Sequence, residues 1–248
     1  MDSLSEEAVT ADPTSRDRTR ARIVEVATAL LASGGRDAVS TRAVAAAAGT
    51  QAPTIYRLFG DKEGLLDAVA EYGFASYLAA KPIPQPGADP VEDLRAGWAL
   101  HISFGLDHPA LFLLMYGEPR PGRASPAAVA GFKVLQARVH RIAAVGRLRV
   151  SERLAADMVH AAGCGAVMTL LATPEALRPP GLSDVMFDAI VAAITTSEPG
   201  PQTAGPVPIA NALRAEIPGL TMLSSGERHV LAEWLDRIVS ATESGSGS

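Results

Sequence analysis

The 248-residue sequence predicts an all-α protein. Three observations carry that prediction. Apolar residues recur every three or four positions in one segment after another, the spacing of a single helix face. Alanine, the strongest helix former, fills several runs, among them Ala45-Ala46-Ala47-Ala48. Asp89-Pro90 and Ser125-Pro126 pair a capping side chain with a proline, which costs nothing in a first helical turn. No strand alternation or internal repeat competes with these signals.

Taken in order, residues 1–15 read as a disordered leader, and a first domain is assigned to 16–80. Its first helix runs from Arg16 to Gly34-Gly35, with Ile23, Ala27, Leu30 and Leu31 at helical spacing. Ser40 caps a second helix that Gly49 ends, because glycine accepts the backbone geometry of a helix C-terminus. Thr50, Gln51 and Ala52 turn the chain, and Pro53 opens a third helix with Ile55, Leu58 and Phe59 on its inner side. Asp61 caps a fourth from about Lys62 to Ala79, with Leu65, Leu66, Val69 and Tyr72 or Gly73 inward. The proline-rich stretch 81–90 reads as a linker.

A second domain is assigned to 91–198. Its helices begin at Asp89-Pro90, His108-Pro109, Ser125-Pro126, Ser151 and Leu182. The expected inward residues are Val91, Leu94, Trp98 and Ile102, then Val129, Phe132, Leu135 and Val139. In the last helix they are Val185, Met186, Ile190, Val191 and Ile194. Residues 199–208 read as a second linker and 209–248 as a helical extension ending in a disordered GSGS tail. There, Ser224 and Glu227 have capping-box spacing ahead of a helix bearing Val230 or Leu231, Trp234, Leu235 and Ile238. Trp234 is expected to pack onto the domain or a second subunit.

Two short helices joined by a glycine-containing turn form a helix-turn-helix, whose second helix enters the DNA major groove. The whole chain carries a net charge of −5, which does not favour a nucleic-acid binder. Its distribution does: from Arg16 to Lys62, eight basic residues face four acidic ones. So small a local excess suits a module used twice, as in a dimer. Arg16, Arg18, Arg20 and Arg22 cluster in the first helix, either as a solvated face or as phosphate ligands that position without reading sequence. Cys164 is the single cysteine, which excludes an intrachain disulfide and a cysteine-rich zinc site. The acidic start of the chain does not resemble a signal peptide. The longest near-apolar run, Met158 to Thr173, falls short of the roughly 20 residues of a membrane span. A soluble, cytoplasmic protein with no membrane partner is expected.

Thr41-Arg42, Ala48-Gly49, Pro53-Thr54-Ile55-Tyr56, Phe59, Lys62-Glu63 and Leu65-Leu66 together resemble the DNA-binding domain of the tetracycline-repressor (TetR) family. The resemblance covers roughly residues 17–78. It implies a homodimer on double-stranded operator DNA, most often a repressor released by a small hydrophobic effector. An activator, or an architectural DNA-binding protein without effector, is the alternative. Arg42 has the fork that grips guanine, and Pro53 and Thr54 offer a methyl contact and a hydroxyl. Tyr56 resembles the family's phosphate-binding tyrosine, and Arg57 reads a base or holds the backbone. Ser40, Thr41, Thr50, Gln51 and Lys62 are expected at phosphates or flanks. Ala52 and Leu58 depart from the family pattern by removing hydrogen-bonding groups, so analogy does not give the operator.

The string from His108 to Gly117 also resembles ligand domains of one TetR subgroup. Trp98, Ile102, Phe104, Phe112, Met115, Tyr116, Phe132, Met168 and Leu171 are pocket candidates, with His101, His140, His160 and Thr169 as polar anchors. The plainer reading of such a stripe is core, and of each histidine a satisfied one; the family resemblance is what implies a cavity. Small residues on the Met158–Thr173 helix allow close backbone approach, so Ala162, Gly163, Ala166 and Leu170, with Met186, Ile190 and Ile194, are assigned to a four-helix dimer interface. Asp157 and His160 share a helix face. There is no HExxH, no Cys–His ligand pair and no phosphate-binding glycine loop, and Ser103 and Ser125 lack evident partners. No catalytic residue, metal or cofactor is assigned.

Overall fold

A computed structural model describes residues 15–79, 89–117, 124–196 and 205–245. The leader through residue 14, most of both expected linkers and the last three residues lie outside this range. Among the described residues the fold is helical, and the chain divides into two compact units between Leu78 and Ala79.

The first unit holds α1 (Ser15–Ala38), α2 (Thr41–Ala48), α3 (Ala52–Phe59) and α4 (Lys62–Ala79). Gly35, at φ 66°, breaks α1 before its last residues. Ile23, Val24, Ala27 and Leu31 of α1, Val44 and Ala48 of α2, Ile55 of α3 and Leu65, Leu66 and Val69 of α4 form its core. Gly73 is the inward residue of α4, whereas Tyr72 is half-exposed. The Arg36 guanidinium donates to the Glu63 carboxylate at 2.7 Å, joining the end of α1 to the start of α4.

The second unit holds α5 (Pro90–Asp107), α6 (Pro109–Tyr116), α7 (Pro126–Ala144), α8 (Glu152–Ala172), α9 (Leu182–Ile194), α10 (Pro206–Glu216) and α11 (Ser225–Gly245). Asp89 caps α5 by accepting from the amides of Val91 and Glu92. Ser151 caps α8 by accepting from Leu154 N–H. Helix α8 packs against α5, α7 and α9. The α5–α8 contact is close enough that a Cβ on Gly105 would lie 2.3 Å from Val167. Buried Asp93 of α5 accepts from Arg138 at 3.1 Å and from Arg141, both on α7. Arg147 reaches Asp89 at 2.7 Å, and Arg95 reaches Asp188 at 2.8 Å.

Several expectations need correction. Ser125 precedes α7, but its buried hydroxyl makes no cap bond. Val129 is exposed; Val139 is buried as expected, Phe132 and Leu135 are half-buried, and α7 also buries Ala127, Ile142 and Ala143. Helix α9 buries Phe187 and Ile194 while Val185 is exposed, because an apolar helix offers more than one stripe that fits a partner. Helix α10 begins at Pro206, inside the expected linker, where proline serves as a helix start rather than a breaker. Helix α11 carries the predicted capping box, with Ser224 N–H donating to Glu227 and Glu227 N–H to Ser224 Oγ. Its buried residues are Leu235 and Val239, which join Val207, Ala210 and Ile217 in a small core. Trp234 is 56% exposed, so of the two surfaces expected for it the body of the unit does not bury it. Finally, α8 at 21 residues is long and apolar enough to cross a membrane by length and composition. The near-apolar run itself is still Met158 to Thr173, because Glu152, Arg153 and Asp157 charge the first turns of α8; a core helix passes the same test.

Candidate nucleic-acid interface

The helix-turn-helix is built by caps. Ser40 Oγ accepts from Ala43 N–H at 3.1 Å and starts α2. Gly49 ends it at φ 65°, ψ 36°, the left-handed conformation that glycine adopts without steric cost. The amides of Gly49 and Thr50 then reach back to the carbonyls of Ala46 and Ala45. Helix α3 starts with Pro53 in its first turn, and Asp61 Oδ1 accepts from Gly64 N–H at 2.7 Å at the head of α4. Burial of Ile55 fixes the roll of α3.

That roll exposes Gln51, Pro53, Tyr56 and Arg57, with Arg42 exposed on α2. Ser40, Thr41, Thr50, Thr54 and Lys62 are half-buried around them. Tyr56, at 51% exposed, is an aromatic ring with a hydroxyl on the helix that a groove would accept. Leu58 and Phe59 are half-buried toward the unit's interior. An exposed rim of guanidinium, hydroxyl and amide groups on a short helix pair can both grip phosphates and reach base edges. The α1 arginines are less uniform than sequence suggests: Arg22 bonds the Ala48 carbonyl, and Arg20 lies over the Phe59 ring.

The helical unit brings many pocket candidates together. The His101 ring lies 5.3 Å from that of Phe112 and 5.8 Å from that of Tyr116. Tyr116 continues to His160 at 5.5 Å, and Phe132 meets His160 at 5.4 Å. Phe104 lies against Phe112 at 6.4 Å. Burial, with a further contribution from His160, lowers the His101 pKa to about 4, and its ring is bonded to the backbone of Gly163. Burial also lowers His160. It raises Tyr116, where Cys164 adds to the effect, and pushes the Cys164 thiol up to about 11. The polar groups of this cluster are therefore uncharged near neutral pH. Cys164 Sγ stands 3.8 Å from both ring nitrogens of His160 and 4.0 Å from His101 Nε2. Sequence reading missed this cysteine, although its position four residues after His160 puts both on one helix face.

Other candidates fall elsewhere. Ile102 and Met115 are buried, Leu171 is half-buried and Met168 is 39% exposed on α8. Trp98 is buried against Phe187, with its indole N–H bonded to Ser183. His140 stands outside the cluster and meets Glu152 at 3.1 Å. Thr169 bonds the Gly165 carbonyl of its own helix.

The interface assignment on α8 needs correction. Gly163, Ala166, Leu170 and Ile194 are buried within the unit, so they are not available at its surface. The missing side chain of Gly163 is what lets His101 approach, since a Cβ there would lie 3.1 Å from the ring. Ala162, Met186 and Ile190 are half-buried. The opposite side of α8 carries Ala161, Gly165, Met168, Thr169 and Ala172, all exposed, and α9 exposes Val185, Ala189 and Ala193.

An exposed helix-turn-helix rim on one unit, followed by a helical unit of its own, defines a DNA-binding transcriptional regulator. Residues 23–69 match the family model of the bacterial regulatory proteins of the tetR family, a match that lies within the DNA-binding unit. Solved structures share the fold. A TetR transcriptional regulator from Streptomyces coelicolor is 20% identical over 70% of this chain and 92% of that one, with a TM-score of 0.55. A TetR variant from Acinetobacter baumannii in complex with minocycline is 19% identical over 69% and 93%, with a TM-score of 0.53. NalD, the secondary repressor of the MexAB-OprM multidrug efflux pump in Pseudomonas aeruginosa, is 17% identical over 73% and 98%, with a TM-score of 0.50. Comparison with curated proteins gave no match.

Proposed function

We propose that the protein is a cytoplasmic, homodimeric repressor that an apolar, uncharged small molecule releases from a palindromic operator. The observation that carries the DNA half is the roll of α3, which buries Ile55 and turns Pro53, Tyr56 and Arg57 outward beside Arg42. In this reading Arg42 and Arg57 approach base edges. Pro53 and Thr54 meet a thymine methyl and its neighbours, while Ser40, Thr41, Thr50, Gln51, Tyr56 and Lys62 hold the backbone.

The effector half is supported by the ring cluster of His101, Phe112, Tyr116, Phe132 and His160. Apolar sites with a few polar anchors bind apolar ligands. Here the anchors are neutral, so the ligand they favour carries hydrogen-bonding groups without charge. The minocycline complex of the Acinetobacter protein supports a small-molecule role for this fold. Dimerisation is assigned to the exposed small-residue faces of α8 and α9.

Selection of duplexes from a random pool by the purified protein, followed by titration with and without candidate apolar compounds, tests the reading. An inverted repeat whose binding one such compound weakens supports it. Enrichment of no sequence overturns the DNA half. An operator affinity that no compound in a broad apolar library changes overturns the effector half.

A further inference from the structure

We propose that Arg22, seconded by Arg20, is a positioning residue for DNA recognition rather than a phosphate ligand. Its guanidinium holds the turn of the helix-turn-helix in the geometry that presents α3. The proposal rests on the DNA-binding role of this unit.

The argument begins with the carbonyls that α2 leaves unpaired at its end. Those of Ala45 and Ala46 are taken by the amides of Thr50 and Gly49. The carbonyl of Ala48, the last residue of α2, accepts instead from Arg22 Nε–H of α1 at 3.1 Å, across 26 residues of sequence. A cation at a helix C-terminus is also favoured by the helix dipole. Two residues earlier, the Arg20 guanidinium lies 5.3 Å from the centroid of the Phe59 ring, and Phe59 is the last residue of α3. Neighbouring arginines of α1 thus touch the C-terminal ends of both helices of the motif. Arg36 ties α1 to the first turn of α4 through Glu63. A shift of about 1 Å in the turn would move every side chain exposed on α3 together, so this contact bears on specificity more than on charge.

The two roles predict different numbers. A phosphate ligand contributes about 0.9 to the slope of log K against log salt, whatever the DNA sequence. A buttress contributes nothing to that slope and acts on the correct sequence alone. The decisive pair of variants is Arg22→Met, which removes both charge and donor, and Arg22→Gln. The amide nitrogen of glutamine occupies the same place along the side chain as arginine Nε, so Gln keeps the N–H donor without the charge.

The probes are a duplex selected by the wild-type protein and a scrambled duplex of the same composition. The expected result is that Arg22→Met lowers the ratio of selected to scrambled affinity at least ten-fold. Arg22→Gln should stay within about three-fold of wild type, and all three proteins should share one salt slope. Amide exchange at Thr50 should quicken in Arg22→Met and not in Arg22→Gln, which judges the buttress without any DNA. Equal losses for both variants on both duplexes, with a slope shallower by about one per protomer, would make Arg22 a phosphate ligand and overturn the proposal. An Arg22→Met protein that reads the selected duplex as wild type does would overturn it equally. If the wild type selects no sequence, the DNA-binding reading fails, and unchanged Thr50 exchange in Arg22→Met would then overturn the buttress as well.

Discussion

The indole N–H of Trp98, on α5, donates to the hydroxyl of Ser183, in the first turn of α9, at 2.9 Å. The ring itself is 4% exposed and lies 5.6 Å from Phe187 of α9. Trp98 therefore pins two helices of the second unit together and is core rather than ligand surface. Ser183→Ala leaves a buried donor unpaired and should cost about 1–3 kcal/mol. Trp98→Phe loses the same bond and ring volume. In Trp98→Phe the serine has no indole partner, so adding Ser183→Ala should cost much less than it does in wild type. Urea unfolding of the four proteins measures this; additive losses would show that the bond carries no coupling.

Base and backbone contacts should separate by their dependence on sequence and salt. Arg42→Ala should cost about 1–3 kcal/mol on the selected operator and relax one base pair per half-site. Lys62→Ala should weaken all duplexes alike and flatten the salt dependence. Equal losses on operator and scrambled DNA for both variants would reduce Arg42 to a backbone contact.

The exposed faces of α8 and α9 give a test of the dimer that Ala166 does not, because a change at buried Ala166 damages the fold itself. Gly165 has open space around its Cβ position, so Gly165→Arg leaves the protomer intact. It should yield monomers with much weaker operator binding, as should Val185→Arg. Light scattering that still reports dimers for both would move the interface elsewhere.

Stability should fall in mild acid. The His101 pKa is lowered to about 4 in the folded protein, from an ordinary value of 6.5. Above pH about 6.5 the ring is neutral in both states and costs nothing. Below it the unfolded chain binds the proton first, so folding stability declines until about pH 4, by at most about 3 kcal/mol. His160 is shifted in the same direction by burial. His101→Phe should therefore shrink, without abolishing, the loss of urea midpoint between pH 7 and pH 4.5. An unchanged loss would mean that His101 is solvated.

Much of the DNA-binding unit was legible in the chain. Ser40, Gly49, Pro53 and Asp61 mark helix ends by local chemistry, each through its own backbone, and the caps observed at Ser40, Gly49 and Asp61 are the expected ones. The capping box of Ser224 and Glu227 was legible for the same reason. Which face of a helix turns inward was legible only where apolar and polar residues alternate clearly, as in α1 and α5. Helices α7, α8 and α9 are apolar or small-residued on several sides. There, neighbours decide: Phe187 is buried and Val185 exposed, Ala166 is covered and Gly165 open.

The sequence by itself determined the helical class, the helix starts and the helix-turn-helix, because caps, prolines and the 3.6-residue period act over a few neighbouring residues. Tertiary structure alone decided that Arg22 bonds the carbonyl of Ala48, that His101, His160 and Cys164 converge, and that Trp98 meets Ser183. These pairs lie tens of residues apart, apart from His160 and Cys164. Their meeting depends on how helices roll and cross once the whole apolar surface competes for burial. Local spacing does not encode that outcome.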